Sequence, residues 1–196
     1  MNIREFFEIS LKSIIDQTEN KFSDSLDETL ETIITFMAER FRNIMTAEGY
    51  EQDVVEAVIS VGFDDILDSK RKIEALTEFR KVTDFEALGS AFKRVVNIVK
   101  DHSGSDISDN HLIEDAEKQL HSSLNDVRGK VEAKILEKDY LNSLLVMKEL
   151  KEPVDQFFDN VMVMDEDPKI KENRLSMLAQ IKNLFFKIAD FSKLSV

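Results

Sequence analysis

Apolar residues recur at helical spacing along nearly the whole chain, and this periodicity limits the possible folds more than any other feature. The clearest example is residues 83–100, where one side of the predicted helix is apolar throughout. Its members are Phe85, Leu88, Phe92, Val95, Val96 and Val99. No segment shows the sustained alternation that predicts a strand, and 196 residues include only five glycines and two prolines. We therefore predict an all-α fold, a bundle of about eight or nine helices.

Short motifs mark where the helices begin and end. Two pairs have the spacing of a capping box, and a third pair is an Asp-Pro step; all three predict the start of a helix. They are Ser25 with Glu28, Thr83 with Glu86, and Asp167 with Pro168. Residues 101–110 are rich in turn formers and predict a loop, whereas Pro153 predicts the start of a new helical segment. The predicted helices span residues 3–17, 25–49, 53–61, 66–82, 83–100, 111–124, 126–137, 139–152, a segment from 153, and 169–191.

The net charge of the chain hides two basic stretches. A formal charge of −13 would ordinarily argue against a nucleic-acid ligand, because phosphate binding needs clustered lysine and arginine. Residues 69–100, however, hold eight basic and four acidic residues, and residues 169–196 hold six and two. We call these stretches the first and second basic islands. Both are candidate sites for binding phosphate.

Composition also bears on the cellular compartment. The chain contains no cysteine, which excludes a disulfide framework or a thiolate metal site and favours a reducing compartment. The N-terminal residues MNIREFFEISLKSIID place charges within an apolar pattern, unlike a signal peptide. No apolar run approaches the ~18 residues of a membrane span. We expect a cytoplasmic protein with no membrane partner.

Candidate catalytic and metal-binding patterns are weak. The acidic residues 165–167 are followed by proline and lysine, so they lack the glycine and distal glutamate of a calcium loop. His102, His111 and His121 do not have the spacing that places two imidazoles on one helical face. No glycine-rich loop is present to hold a phosphate. The sequence therefore favours a binding module over an enzyme acting alone, and we assign no catalytic or metal-binding residue.

Two long segments, residues 49–100 and 153–194, resemble the C-terminal part of the bacterial-type glycyl-tRNA synthetase beta subunit. The most specific stretches are FFDNVMVM, ENRLSML and ADFSKL, at residues 157–164, 172–178 and 189–194. The resemblance implies that residues 63–196 form an all-helical anticodon-binding domain, similar to the DALR domain of arginyl-tRNA synthetases. It also implies that residues 1–62 are helices leading in from the rest of the beta subunit.

The resemblance further implies partners and a division of labour. Such beta subunits are far longer than this chain, so we expect an isolated C-terminal fragment. In that family the ligase chemistry, with ATP, magnesium and glycine, belongs to the separate alpha subunit, and the beta subunit supplies tRNA contacts. We therefore expect no cofactor in this fragment and no catalysis by the fragment alone. Its expected partners are glycine tRNA, the alpha subunit and the remainder of the beta subunit.

We predict seven RNA-binding residues, on the helix at 83–100 and in the C-terminal part of the chain. They are Lys93, Arg94, Asn97, Lys100, Asn160, Arg174 and Lys193. Lysine suits phosphates, whereas asparagine and arginine suit the edges of unstacked bases. Glycine codons begin with GG, so the tRNA anticodon carries cytosines at its second and third positions. We assign Lys93, Lys100 and Lys193 to phosphates, and Asn160 and Arg174 to bases or ribose.

Structural explanations compete with these assignments. The polar side of the helix at 83–100 would also serve as an ordinary solvated surface. Arg174 lies in line with apolar residues, so its head would also pair with Asp159 or Asp165. The aromatic pair at 157–158 has core spacing, which favours packing over stacking on a base. The main alternative function is a helical protein–protein interaction module.

Overall fold

A computed structural model of the chain describes residues 2–18, 25–100, 102–104 and 106–195. Within these stretches there is no β-strand, only an isolated bridge between Asn2 and Asp65, and no helix has the length and apolar character of a membrane span. The α-helices there are α1 (Ile3–Thr18), α2 (Leu26–Ala47), α3 (Gln52–Ile59), α4 (Ile66–Phe79), α5 (Phe85–Val99), α6 (Asp115–Leu136), α7 (Tyr140–Met147), α8 (Lys151–Asn160) and α9 (Pro168–Phe186). Short 3₁₀ turns lie at Asp109–His111, Lys148–Leu150 and Phe191–Lys193. The predicted all-α bundle is confirmed.

Helices α2 and α9 start at the capping residues that the sequence predicts. At α2 the Ser25 hydroxyl accepts a hydrogen bond from the Glu28 N–H, and the Glu28 carboxylate accepts one from the Ser25 N–H at 3.0 Å. The Asp65 carboxylate caps α4, and the Asp167 carboxylate caps α9 ahead of Pro168. These side chains satisfy N–H groups that have no partner within the helix.

The predicted capping box at the start of α5 is wrong. Asp84 precedes the helix with a left-handed backbone (φ 69°), and its side chain makes no capping hydrogen bond. The Thr83 carbonyl oxygen instead accepts a hydrogen bond from Lys148 Nζ at 3.0 Å. The first helical residue, Phe85, packs edge-on against the ring of Phe79. Tertiary contacts therefore fix the start of α5 in place of the local cap.

The predicted break near residue 125 is also wrong, because α6 is one helix of 22 residues. Asn125 is exposed within it and hydrogen-bonds the ring of His121, one turn earlier, at 3.2 Å. The helix predicted for residues 139–152 is divided by the 3₁₀ turn between α7 and α8. Pro153 lies in the first turn of α8, where its missing N–H removes no hydrogen bond within the helix.

Helix α9 lies at the centre of the packing and contacts both α5 and α6. Phe92 of α5 lies on Phe185 of α9 with ring centroids 3.8 Å apart, and Phe191 packs edge-on against both rings. All three rings are almost fully buried. Because buried aromatic rings remove large apolar areas from water, this cluster fixes α5 to α9. The opposite side of α5 is thereby turned to solvent.

The N-terminal helices join this core through α3. Helix α1 packs on α2, α2 on α3, and α3 on both α4 and the C-terminal 3₁₀ turn. The Asp190 N–H donates a hydrogen bond to the Ala57 carbonyl oxygen at 2.8 Å, which ties the C-terminal segment to α3. The predicted domain division, with residues 1–62 leading in and 63–196 forming the binding domain, stays a prediction.

Candidate nucleic-acid interface

Helix α5 presents a polar face to solvent, opposite its aromatic cluster. Ser90, Arg94 and Asn97 are exposed along it, Lys100 is exposed just beyond its C-terminal end, and Lys93 is half-buried at its edge. Residues three, four and seven positions apart lie on the same side of a helix. The structure therefore brings four of the seven predicted RNA-binding residues together on one face.

The C-terminal segment borders one flank of this face. Lys93 Nζ lies 3.5 Å from the carbonyl oxygen of Leu194, at the outer limit of a hydrogen bond. The Leu194 side chain is buried, whereas the preceding Lys193 is exposed. Lys193 therefore neighbours the residue that Lys93 contacts, but it lines a cleft with Arg80 and the acidic residues Asp53 and Glu56 of α3.

Helix α8 borders the other flank. The guanidinium carbon of Arg94 lies 4.0 Å from the centre of the Phe158 ring, which is a cation–π contact. Phe158 is half-buried and packs edge-on against Phe157, which is fully buried. Phe157 is thus a core residue, as the sequence predicts. Phe158 packs on the core but also supports an arginine at the surface.

A lysine that sequence reasoning missed lies at the C-terminal end of α5. Lys182 Nζ on α9 donates hydrogen bonds to the carbonyl oxygens of Lys100 (3.1 Å) and His102 (3.5 Å). The chain after α5 folds back along α9, because the buried Asn173 amide bonds both the N–H and the carbonyl of Ser108. The second basic island includes Lys182, and the packing of α5 on α9 brings it next to Lys100. No local sequence signal indicates that proximity.

We call the set formed by Lys93, Arg94, Asn97, Lys100 and Lys182 the α5 surface. Basic residues without a carboxylate partner also lie elsewhere in the described stretches, at Arg40, Arg71, Arg128, Lys148, Lys169 and Lys171. None of the basic members of the α5 surface forms an ion pair with a carboxylate among the residues that the structure describes. On α4, by contrast, Lys70 pairs with Glu48 at 2.8 Å and Lys72 with Asp68 at 3.3 Å.

Arg174 lies in the interior and not on the α5 surface. Its Nε donates to Glu117 Oε1 at 2.6 Å, and its Nη1 donates to Asp165 Oδ2 at 2.6 Å and to the Met162 carbonyl oxygen at 2.9 Å. The Arg174 side chain is 5% exposed and that of Glu117 is 0% exposed. We call these four residues the Arg174 corner. The structure thus favours the structural explanation for Arg174, with Asp165 rather than Asp159 as its partner.

Two opposing effects act on the protonation of Arg174. Burial lowers its pKa, and the hydrogen bonds and charges of Glu117 and Asp165 outweigh that effect and raise it. The arginine is therefore charged throughout the accessible pH range. Glu117 also accepts hydrogen bonds from the N–H groups of Ile113 and Glu114, at 2.8 and 2.6 Å. The corner thereby joins α9 to the loops before α6 and after α8.

Asn160 is exposed but separate from the α5 surface. Because a helix turns about 100° per residue, Asn160 lies roughly 200° around α8 from Phe158, the residue that faces α5. Its Nδ2 donates a hydrogen bond to the Gln156 carbonyl oxygen at 2.8 Å. Of the seven predicted residues, four therefore lie on the α5 surface, whereas Asn160, Arg174 and Lys193 do not.

The structure also places the residues considered for metal binding. In the stretches that it describes, no group of three or more histidine, aspartate or glutamate side chains is arranged to hold a metal ion. His102 Nε2 lies 3.1 Å from Glu172 Oε1, and His121 Nδ1 lies 3.4 Å from Asp109 Oδ1. These histidines thus lie beside single carboxylates.

Comparison with known proteins identifies the family. The model of the DALR anticodon binding domain matches residues 88–191, which include most of α5, all of α9 and six of the seven predicted RNA-binding residues, all except Lys193. A glycine–tRNA ligase beta subunit of Geotalea uraniireducens is 46% identical over 178 residues, covering 90% of this chain and 26% of that relative. Beta subunits of Citrifermentans bemidjiense (44%; 94% of this chain, 27% of the relative) and Sulfurihydrogenibium (39%; 84% and 24%) are also similar.

The resemblance to glycyl-tRNA synthetase beta subunits is thus confirmed, and the chain spans about a quarter of the length of the curated relatives it matches. The family model covers more than half of the 196 residues. It also includes the face that helical packing leaves exposed on α5. The chain therefore belongs to the DALR anticodon binding domain family.

Proposed function

We propose that this chain binds the anticodon stem-loop of glycine tRNA through the α5 surface, as the non-catalytic C-terminal part of a glycyl-tRNA synthetase beta subunit. The family supports an anticodon as the ligand, and the names of the relatives support glycine tRNA. Glycine attachment, with ATP and magnesium, would take place at the alpha subunit. The chain would contribute affinity and selectivity for the tRNA.

One observation carries this proposal: the lysines and the arginine of the α5 surface have no carboxylate partner in the described part of the chain. An arginine or lysine already paired with a carboxylate must give up that partner before it can bind phosphate. An unpaired one exchanges only water and small counterions. In a chain of net charge −13, a group of unpaired basic residues on one face is therefore suited to a polyanion.

The spacing on α5 suits a single RNA strand. Lys93 and Lys100 are seven residues apart, so about two helical turns, or ~10 Å, separate them along the axis. Asn97 lies between them with its amide exposed. Lysines at both ends would hold phosphates while the amide reaches the edge of an unstacked base, the usual division between positioning and readout.

The test is binding of labelled glycine tRNA and of a non-cognate tRNA to the 196-residue chain, each at two salt concentrations. We expect tighter binding of glycine tRNA and a steep fall in affinity with salt. A third RNA, glycine tRNA with both anticodon cytosines replaced, separates anticodon readout from general affinity. Equal affinity for all three RNAs would exclude base readout, and absence of binding would overturn the proposal.

A second candidate function concerns the N-terminal helices. Five large apolar side chains are exposed there: Phe6, Ile9 and Ile14 on α1, and Phe36 and Ile44 on α2. The relatives are about four times longer than this chain, so these side chains would pack on the remainder of a beta subunit. Concentration-dependent self-association that Phe6→Ser with Phe36→Ser abolishes would support an interaction surface. A chain that stays monomeric at high concentration would argue against it.

A further inference from the structure

The contact between Arg94 and Phe158 differs from the other cation–π contacts in the described residues. Its distance of 4.0 Å is the shortest of the five there, and the others range from 5.3 to 5.8 Å. At that distance the planar guanidinium touches the ring. Arg80, which lies over Phe85 at 5.8 Å, is also bound by the carboxylates of Glu51 and Asp53. Arg94 has no carboxylate partner among the residues that the structure describes.

Arg94 and Phe158 together form a flat platform that is packed on the core on its inner side and exposed on its outer side. Phe158 packs on Phe157, which is 0% exposed and belongs to the hydrophobic core. Arg94 itself is exposed, so the side of its guanidinium that does not touch Phe158 remains accessible. Because the ring already restricts this side chain, little rotamer entropy is lost when a flat ligand binds on top.

We propose that Arg94, supported by Phe158, stacks on one unpaired nucleobase. This inference rests on the proposed function and assigns Arg94 a role distinct from that of the lysines. Unstacked loop bases commonly stack on aromatic rings or on arginine guanidinium planes, and such stacking tolerates any base. Lys93 and Lys100 lie on the same face, so phosphates of the same strand have partners while the base covers Arg94.

Arg94→Lys separates stacking from charge, because lysine keeps the positive charge and removes the plane. The probes are an anticodon stem-loop of glycine tRNA and a series in which each loop nucleotide in turn is abasic. For the wild-type chain we expect one abasic position to weaken binding by about 5- to 150-fold. For Arg94→Lys the intact stem-loop binds correspondingly more weakly, and that abasic position has less than a twofold effect. The salt dependence stays unchanged.

Two variants serve as controls. Phe158→Leu removes the support under the guanidinium while keeping an apolar side chain, so it reduces the effect of the same abasic position. Lys93→Gln lowers affinity and reduces the log–log salt slope by about 0.7 to 0.9 unit, but it leaves the effect of that position intact. Thermal unfolding confirms that each variant is folded.

Two results would overturn the inference. If Arg94→Lys binds the stem-loop like the wild type while Arg94→Gln reduces the salt slope, Arg94 contacts a phosphate and the stacking role is wrong although the proposed function stands. If the wild-type chain binds no stem-loop, both the proposed function and the stacking role fail. An effect of one abasic position that disappears in Arg94→Lys supports both.

Discussion

The α5 surface and the Arg174 corner hold basic side chains in opposite surroundings. Arg94 is exposed, lies on an aromatic ring and has no carboxylate partner in the described residues. Arg174 is buried and binds two carboxylates and a carbonyl oxygen. The difference shows that a basic residue is available to a ligand only when the fold leaves it unpaired. The corner uses its charge for folding, whereas the basic side chains of the surface have no carboxylate partner in the described residues.

The largest expected effect follows from removing the buried arginine. Arg174→Met would leave the fully buried Glu117 carboxylate without its counter-charge. Breaking a buried ion pair on one side costs about 3–5 kcal/mol, because the remaining charge is unpaired away from water. We expect that loss in the free energy of unfolding, measured by urea denaturation at pH 7. The same change at Arg94 removes only an exposed cation–π contact, which is worth about 0.5–1 kcal/mol.

A double variant provides the matched control for the corner. Combining Arg174→Met with Glu117→Gln removes both charges and keeps an oxygen acceptor for the Ile113 and Glu114 N–H groups. The double variant should therefore be more stable than Arg174→Met alone. Equal losses from Arg174→Met and Arg94→Met would remove the distinction between the two regions.

A second structural ion pair lies in the first basic island, where Arg80 Nη1 contacts Asp53 at 2.8 Å. Partial burial raises the pKa of Asp53, but hydrogen bonds from Arg80 and the Ser195 N–H outweigh it and lower the pKa to about 2. Since the folded pKa lies below the unfolded value near 3.8, ionised Asp53 stabilises the fold above pH ~4. That stability is lost as pH falls from about 4 to 2.

Asp53→Asn isolates this contribution. At pH 7 the variant should be less stable by up to about 2 kcal/mol, the free energy that corresponds to the pKa shift. Denaturation at a series of pH values should show the wild type and the variant converging near pH 2. A stability difference that does not change with pH would assign the loss to geometry instead of charge.

In contrast to Asp53, the unpaired lysines Lys93 and Lys100 should affect RNA binding and not stability. Lys93→Gln with Lys100→Gln should leave the free energy of unfolding within about 0.5 kcal/mol of the wild type, because neither lysine has a charged partner in the part of the chain that the structure describes. The same variant should bind glycine tRNA about tenfold or more weakly. Its log–log salt slope should fall by about 1.5 units, since two phosphate contacts are lost. Fluorescence anisotropy at several salt concentrations measures both quantities.

The control for this pair is Lys70→Gln with Lys81→Gln, which removes the same total charge from the same basic island. Lys70 and Lys81 pair with Glu48 and Glu78, at 2.8 and 2.7 Å. We expect nearly unchanged RNA affinity for this variant. A similar loss of affinity in both double variants would mean that total charge, and not position on α5, decides binding.

How far the sequence predicts these regions depends on the range of the interactions involved. Capping of α2 by Ser25 and of α9 by Asp167 depends on residues within four positions, so local motifs predict it correctly. The polar face of α5 also follows from periodicity within one helix. The start of α5 does not, because Thr83 is engaged by Lys148 from a distant helix.

The partners of charged side chains are predicted from the sequence even less well than the helix starts. The sequence alone indicates that Arg174 would be near Asp159 or Asp165, and the structure shows that the partner is Asp165. The sequence cannot indicate Glu117, which lies 57 residues away and is brought in by the packing of α6 on α9. Lys182 reaches Lys100 because α5 packs on α9, 82 residues apart in sequence at this contact. Long-range packing therefore decides which basic residues are paired, and a count of charges cannot replace it.

The smallest expected effect compares two asparagines that the sequence assigns to RNA. Asn97 lies in the middle of the α5 surface, whereas Asn160 lies on the far flank of α8 and hydrogen-bonds Gln156. Asn97→Ala should weaken binding of glycine tRNA by about three- to tenfold, the value of one or two hydrogen bonds, without changing the salt slope. Asn160→Ala should change affinity by less than twofold. A larger loss for Asn160 than for Asn97 would indicate that the RNA binds at the end of α8 and not on α5. The difference between exposed side chains and those held by the fold would then fail to identify the binding site.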